Sequence, residues 1–284
     1  MNARYIVGID GKAASERALE WVLRRAQRYP APLVLVRVTT PPDVDGSRAL
    51  AQLVERTRKS HPLLDIDAIE VRGTVPAALA AVAESDDLLV IGTHQHAFPR
   101  RAVTKCLSWE IASASPCSVV VVPQIDTRMR RGVVVGIDHH ESGARLAAFA
   151  AREAEQFGGE LFVVQSVTPS SGSRRAGLAI EDAVAAARTQ AATTRITSTI
   201  VHDDPARALL RAAHERALLV IGESTTPAAD GPERSVLLDV LASIRVPVLL
   251  ARGIRDDAAA LETAVLATAV HAAARVEAEA VQPA

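Results

Sequence analysis

Val7-Gly8-Ile9-Asp10 returns as Val135-Gly136-Ile137-Asp138, and the return is not isolated. Leu88-Leu89-Val90-Ile91-Gly92 reappears as Leu218-Leu219-Val220-Ile221-Gly222. Leu33-Val34-Leu35-Val36-Arg37-Val38 has its counterpart in Leu161-Phe162-Val163-Val164-Gln165-Ser166-Val167, and Pro76 answers Pro205. The offset stays between 128 and 130 through all four blocks. Self-similarity at that period describes one domain built twice. The length of 284 residues agrees, because a single domain commonly takes about 100–200.

Each copy alternates strands with helices. In the first, strands are expected near 4–10, 33–39, 66–71, 87–92 and 118–122, with helices near 14–28, 47–60, 75–84 and 102–114. The strands are continuous apolar runs, as a parallel sheet covered on both faces requires. Trp21 and Val22 face inward on the first helix by its 3.6-residue period. Pro30 and Pro32 stop that helix, while Pro76 and Pro205 sit where helices begin and a missing N–H costs nothing. The second copy repeats the scheme, with strands near 132–138, 160–167, 195–202, 217–222 and 247–251.

The fold class that follows is α/β: two tandem, doubly wound, five-stranded parallel sheets of order 3-2-1-4-5, Rossmann-like, followed by a C-terminal helix. The domains span 1–123 and 131–252, with a polar linker from Pro123 to Arg131 and a helical tail over 256–280. The halves are expected to pair about an approximate twofold axis as two separate sheets. Val119-Val120-Val121-Val122 and Val248-Leu249-Leu250 are apolar enough to lie at that interface.

Composition narrows the partners. A net charge of -1 gives no electrostatic reason for nucleic acid or an anionic membrane to bind. No apolar run approaches the roughly 20 residues of a membrane helix, and the opening MNARYIVGID enters a strand pattern without a signal peptide. Cys106 and Cys117 are the only cysteines, too few for a disulfide framework, which points to a reducing cytoplasm. Aromatic residues make up 3% of the chain, so Val, Leu, Ile and Ala must build the cores.

In doubly wound sheets, ligands bind beyond the carboxyl ends of the strands, where the strand order reverses. That rule selects Asp10, Val38 and Gly92 in the first half and Asp138, Val167 and Gly222 in the second. An Asp closing the first strand can accept hydrogen bonds from a ribose or an amine, and a Gly ending a strand lets backbone approach a ligand. The same residues also make ordinary turns, Asp as a helix cap and Gly as a strand exit, and residue type alone leaves both readings open.

V-G-I-D at the start, the L-V-L-V-R-V second strand, L-L-V-I-G before the last helix and the final P-C-S-V-V-V-V-P together resemble the universal stress protein domain. The resemblance covers both halves and leaves out the tail. It implies an adenine-nucleotide α-hydrolase-like fold, pairing of the two domains or of two chains, and a role in stress adaptation in the cytoplasm through a protein partner the sequence does not identify. Some members bind ATP through G-x2-G-x9-G-[ST], whose backbone amides wrap phosphate at a helix N-terminus. This chain departs from that motif twice. Gly92 is followed by Gln95 and then Lys105-Cys106; Gly222 is followed by Thr225 and then Ser235-Val236, or Arg234-Ser235 counting back from Pro247. Side chains at glycine positions obstruct amide access to phosphate. The expectation is weak or absent ATP binding, with ATP the one cofactor the resemblance allows and Ser235 the hydroxyl best placed to reach it.

Other constellations have plain explanations. His94-Gln95-His96 and His139-His140 lack a third ligand at matching spacing, so no metal site is assigned. Asp204 is expected to cap the helix that Pro205 begins. Cys106 and Cys117 read as small core residues. Neither G-x-S-x-G nor G-x4-G-K-[ST] occurs, and the loops after Asp10 and Asp138 do not match the S-G-G-x-D-S type of nucleotide-activating ligases. No catalytic set is assigned. Two readings remain: a non-enzymatic regulatory adaptor with degenerate nucleotide sites, or an ATP-binding member with slow hydrolysis. In the tail, Leu261, Val265, Ala269, Ala272 and Val276 form one apolar stripe suited to packing on the body or on a second chain as a homodimer.

Overall fold

The computed structural model of the chain describes residues 4–39, 44–94, 106–138, 142–167, 173–223 and 236–253. The expected tail helix over 256–280, and Gln95, Lys105, Thr225, Arg234 and Ser235, lie outside the described residues.

The first half runs β1 (Tyr5–Gly8), α1 (Ala13–Ala26), β2 (Leu33–Thr39), α2 (Val44–Ser60), β3 (Ile66–Arg72), α3 (Val75–Val82), β4 (Leu88–Thr93), α4 (Leu107–Ala114) and β5 (Ser118–Pro123). The second runs β6 (Val133–Ile137), α5 (Ser142–Gln156), β7 (Glu160–Ser166), α6 (Ser173–Gln190), β8 (Arg195–Val201), α7 (Pro205–Ala212), β9 (Leu218–Gly222), α8 (Val236–Leu241) and β10 (Val248–Ala251). In each half the strand order is 3-2-1-4-5 and every pairing within the half is parallel.

The expectation of two separate sheets needs correction. β5 pairs antiparallel with β10, and the ten strands form one sheet in the order β3-β2-β1-β4-β5-β10-β9-β6-β7-β8. The physical reason lies in β5 and β10 themselves. Val119, Val120, Val121 and Val122, and Val248, Leu249 and Leu250, are all at most 4% exposed. Left as free edges, such apolar strands would present unpaired N–H and C=O groups beside hydrophobic side chains, a template for aggregation. Joining them removes both edges and leaves β3 and β8 outermost, where β8 is largely exposed and polar on the outside.

Helices cover both faces. One apolar cluster packs α1, α2, α5 and α6 on the face carrying Val7, Val120, Val135 and Leu249. A second packs α3, α4, α7 and α8 on the face carrying Ile6, Val119, Val134 and Val248. Each cluster crosses from one half to the other, so neither half owns a closed core. Trp21 and Val22 are buried as the helical period requires, and Cys117 is fully buried beside Ser115 while Cys106 begins α4 as its N-cap. Burial pushes the Cys117 thiol above its ordinary range, which keeps it protonated and inert.

Polar contacts also join the halves. Ser118 accepts from the Arg252 N–H at 3.0 Å. The Tyr29 hydroxyl donates to the Arg152 carbonyl at 3.2 Å, and Trp21 stacks on Phe157 with ring centres 6.4 Å apart. Arg25 donates to Glu153 from its two terminal guanidinium nitrogens, Nη2 at 2.8 Å. Burial alone would pull the Arg25 pKa down, but the Glu153 carboxylate beside it more than reverses this, and the guanidinium stays charged.

Candidate functional site

The carboxyl edge of the first half is assembled from β1, β2 and β4. Gly8 lies opposite Val36 and Val7 opposite Val90, so Asp10, Val38 and Gly92 reach the same edge of the sheet. In the second half Gly136 lies opposite Val164 and Val135 opposite Val220, which gathers Asp138, Val167 and Gly222 in the same way. The expected residues thus do converge within each half. The two sets do not converge on each other: the antiparallel β5–β10 seam turns the carboxyl edges of the halves to opposite sides of the molecule. One ligand cannot bridge both.

What these residues do locally differs from one to the next. The Asp10 carboxylate accepts a hydrogen bond from the Lys12 N–H at 3.0 Å and lies 3.8 Å from the Lys12 ammonium. That is an Asx turn, and it launches α1. The Asp10 N–H meets the Ser15 hydroxyl at 3.3 Å, closing the same loop. Gly92 has its own internal reason. A Cβ there would sit 2.0 Å from the Ala14 carbonyl oxygen and 2.7 Å from the Ser15 nitrogen, so the absent side chain makes room for the first turn of α1. At Gly222 the nearest atom to a built Cβ is the Leu146 Cδ2 at 3.1 Å, a side-chain methyl. Val38 is half-buried; Val167 is buried and donates its N–H to the Val201 carbonyl at 2.9 Å, extending the β7–β8 ladder.

Next to each glycine the chains close differently. After Gly92, Thr93 accepts from the Gln124 N–H at 3.2 Å, and His94 Nδ1 lies 3.0 Å from the Gln124 side-chain oxygen. After Gly222, the Glu223 carboxylate pairs with Arg252 at 3.2 Å. The second site therefore carries a carboxylate beside its glycine. Asp204 caps α7 as expected, accepting from the Arg207 N–H at 3.0 Å. No three His, Cys, Asp or Glu side chains gather as a metal site among the described residues. No helix among the described residues is long and apolar enough to cross a membrane.

Away from the strand ends, a cavity of about 390 Å³ opens between α7 and α8. Asp204, Arg207, Arg211, His214, Asp239 and Arg245 line it. Its charges balance internally, since Arg207 and Arg211 pair with Asp203 at 3.3 and 3.1 Å. Sequence reasoning did not reach this groove. The signal available was the repeat itself, which sets Arg207 and Arg211 opposite Ala78 and Val82.

Tandem α/β halves with ligand-type strand ends, joined through their final strands, define a class of paired domains. The model of the universal stress protein family matches residues 1–123 and 129–252, and the chain belongs to that family. A universal stress protein of Mycobacterium tuberculosis is 25% identical over 285 residues, covering 87% of this chain and 95% of the relative. Another from the same organism is 23% identical over 283 residues, covering 87% and 96%. Among solved structures, a universal stress protein from Archaeoglobus fulgidus superposes with a TM-score of 0.67 at 15% identity, covering 87% of this chain and 95% of that one. That likeness is one of fold.

Proposed function

We propose that this protein is a non-enzymatic stress-response adaptor of the cytoplasm, whose nucleotide sites have lost the geometry needed to hold triphosphate. The observation that carries this reading is Gly92, whose side-chain space is taken by the backbone of Ala14 and Ser15 in α1. A strand-end glycine useful to a ligand opens backbone to the cleft; this one opens it to a helix. Two further features support the reading. The Asp10 carboxylate is committed to its own turn, and the Arg252 guanidinium beside Gly222 is paired with Glu223 rather than left to an anion. The motif positions filled by Gln95, Lys105, Thr225 and Arg234 in place of small or glycine residues point the same way.

The test is direct. Purified protein is extracted for bound nucleotide and then titrated with ATP by calorimetry. The expected result is no co-purified nucleotide and a dissociation constant weaker than the low-micromolar range. A low-micromolar constant overturns the reading in favour of an ATP-binding member, and in that event the site expected to be occupied is the second. There a built Cβ meets only the Leu146 side chain, which can rotate away, and in the sequence the motif's hydroxyl position falls at Ser235. Asp138→Ala would then weaken binding while leaving the fold intact, because the Asp138 side chain is exposed.

A further inference from the structure

We infer that Arg25 and Glu153 form a charge lock: the seam surface of each half fits the other half of this chain and rejects a second copy of itself. The offset is 128 at Val7/Val135 and again at Leu33/Leu161, so Arg25 and Glu153, between those blocks and also 128 apart, occupy one repeat position. The sheet register then locates the axis relating the halves. Leu89 pairs with Val119 and Leu219 with Val248, which makes Val120 the counterpart of Leu249. Across the seam Val120 pairs with Leu249, Val119 with Leu250 and Val121 with Val248. Each strand therefore meets its own counterpart turned end for end, and the axis passes through the Val120–Leu249 pair.

Near such an axis a repeat position faces its equivalent. Arg25 and Glu153 do so, in contact and almost out of solvent, with side chains 12% and 5% exposed. Were two first halves to pair this way, Arg25 would face another Arg25; two second halves would set Glu153 against Glu153. Like charges held together out of water oppose association strongly, which is how natural interfaces reject wrong partners. Several contacts secure the opposite-charge arrangement, although the Arg25 Nε is buried without a hydrogen-bond partner. Arg25 binds both Glu153 oxygens, its Nη1 lies 3.2 Å from the Gln156 side-chain oxygen, and its guanidinium rests 5.7 Å from the Trp21 ring centre and 5.3 Å from that of Tyr29. The partner this surface takes is a domain of the same fold carrying the opposite charge at that position. Residues 129–252 of the same chain supply it. This inference stands apart from the nucleotide sites and survives either outcome there.

Full-length charge variants test it. Glu153→Arg reproduces an Arg–Arg seam and Arg25→Glu a Glu–Glu seam, while Arg25→Glu with Glu153→Arg restores opposite charge in reversed order. Phe149 and Phe157 stand where Trp21 and Tyr29 stand in the first half, but Arg28 stands where Gln156 does, so the reversed pair is made together with Arg28→Gln. Each single variant is expected to lower the melting temperature by roughly 5 °C or more. Glu153→Gln is expected to lower it less than Glu153→Arg, and the reversed variant is expected to recover more than half of the loss. Should a single variant fail to fold while the reversed variant folds, the lock is supported. A reversed variant whose loss equals the sum of the singles, or one that fails together with them, overturns it, as does a Glu153→Arg variant no worse than Glu153→Gln.

Discussion

Asp87 shows how much one side chain can hold in place. It is 5% exposed immediately before β4, and its carboxylate accepts from the Arg4 N–H, from the Arg4 guanidinium at 2.6 and 3.1 Å, and from the Glu84 N–H at 2.9 Å. Burial favours the protonated acid, but the hydrogen bonds from Arg4 and from the backbone outweigh it and hold the pKa below the usual carboxylate range. A carboxyl whose folded-state pKa is depressed contributes stability above its unfolded value near 4, and that contribution fades as pH falls through the depressed one. Asp87→Asn replaces an accepting oxygen with a donor that faces other donors, and is expected to cost about 2 kcal/mol at pH 7. Denaturant unfolding from pH 7 down to pH 3 should show the gap between variant and parent narrowing below about pH 4. A gap that stays constant with pH would assign the loss to packing. The second half has no such clasp, because its counterpart of Arg4 is Gly132 and that of Asp87 is Ala217.

Among the elements, α1 and α5 are repeats of one helix set differently on one strand end. α1 drives its first turn onto Gly92, backbone against backbone, whereas α5 meets Gly222 with the Leu146 side chain. Gly92→Ala therefore has no side chain to displace and must push the helix itself, with an expected cost of about 3 kcal/mol. Gly222→Ala asks only for a rotation at Leu146 and is expected to cost under about 1 kcal/mol. Thermal or denaturant melts of the two variants check this directly, and equal losses would mean α1 yields as easily as a methyl. The difference was not visible in the two L-V-I-G strings, which are identical. It depends on where the helix preceding the second strand lands, and a residue type at a strand exit carries no record of that.

At the scale of the whole molecule, the seam makes two domains behave as one body. Both apolar clusters run through it, and Leu249 at its centre is 1% exposed. Leu249→Ala is expected to cost about 2–5 kcal/mol as a core cavity. The two tryptophans, Trp21 and Trp109, both lie in the first half; in a Trp21→Phe background, which removes the ring stacked on Phe157, Trp109 fluorescence reports that half while circular dichroism reports both. With a shared core, Leu249→Ala should shift the two denaturation curves together, although the substitution is in the second half. A fluorescence transition that stays at the parent midpoint while the dichroism curve moves would show that the halves unfold independently.

The repeated unit, the strand order and nearly every strand, to within a residue or two, were legible in the chain of residues alone. Continuous apolar runs, strand-exit glycines and helix-opening prolines are local signals, and two copies of each confirm the other. The chain of residues also pointed to the carboxyl edges, since a doubly wound sheet has one pair of ends where ligands fit. Three things emerge only once the chain is folded: ten strands form one sheet, Asp10 and Gly92 serve α1, and Arg25 meets Glu153. Each depends on which atoms come within a few ångströms across long stretches of chain, and residue type with local period does not encode that distance.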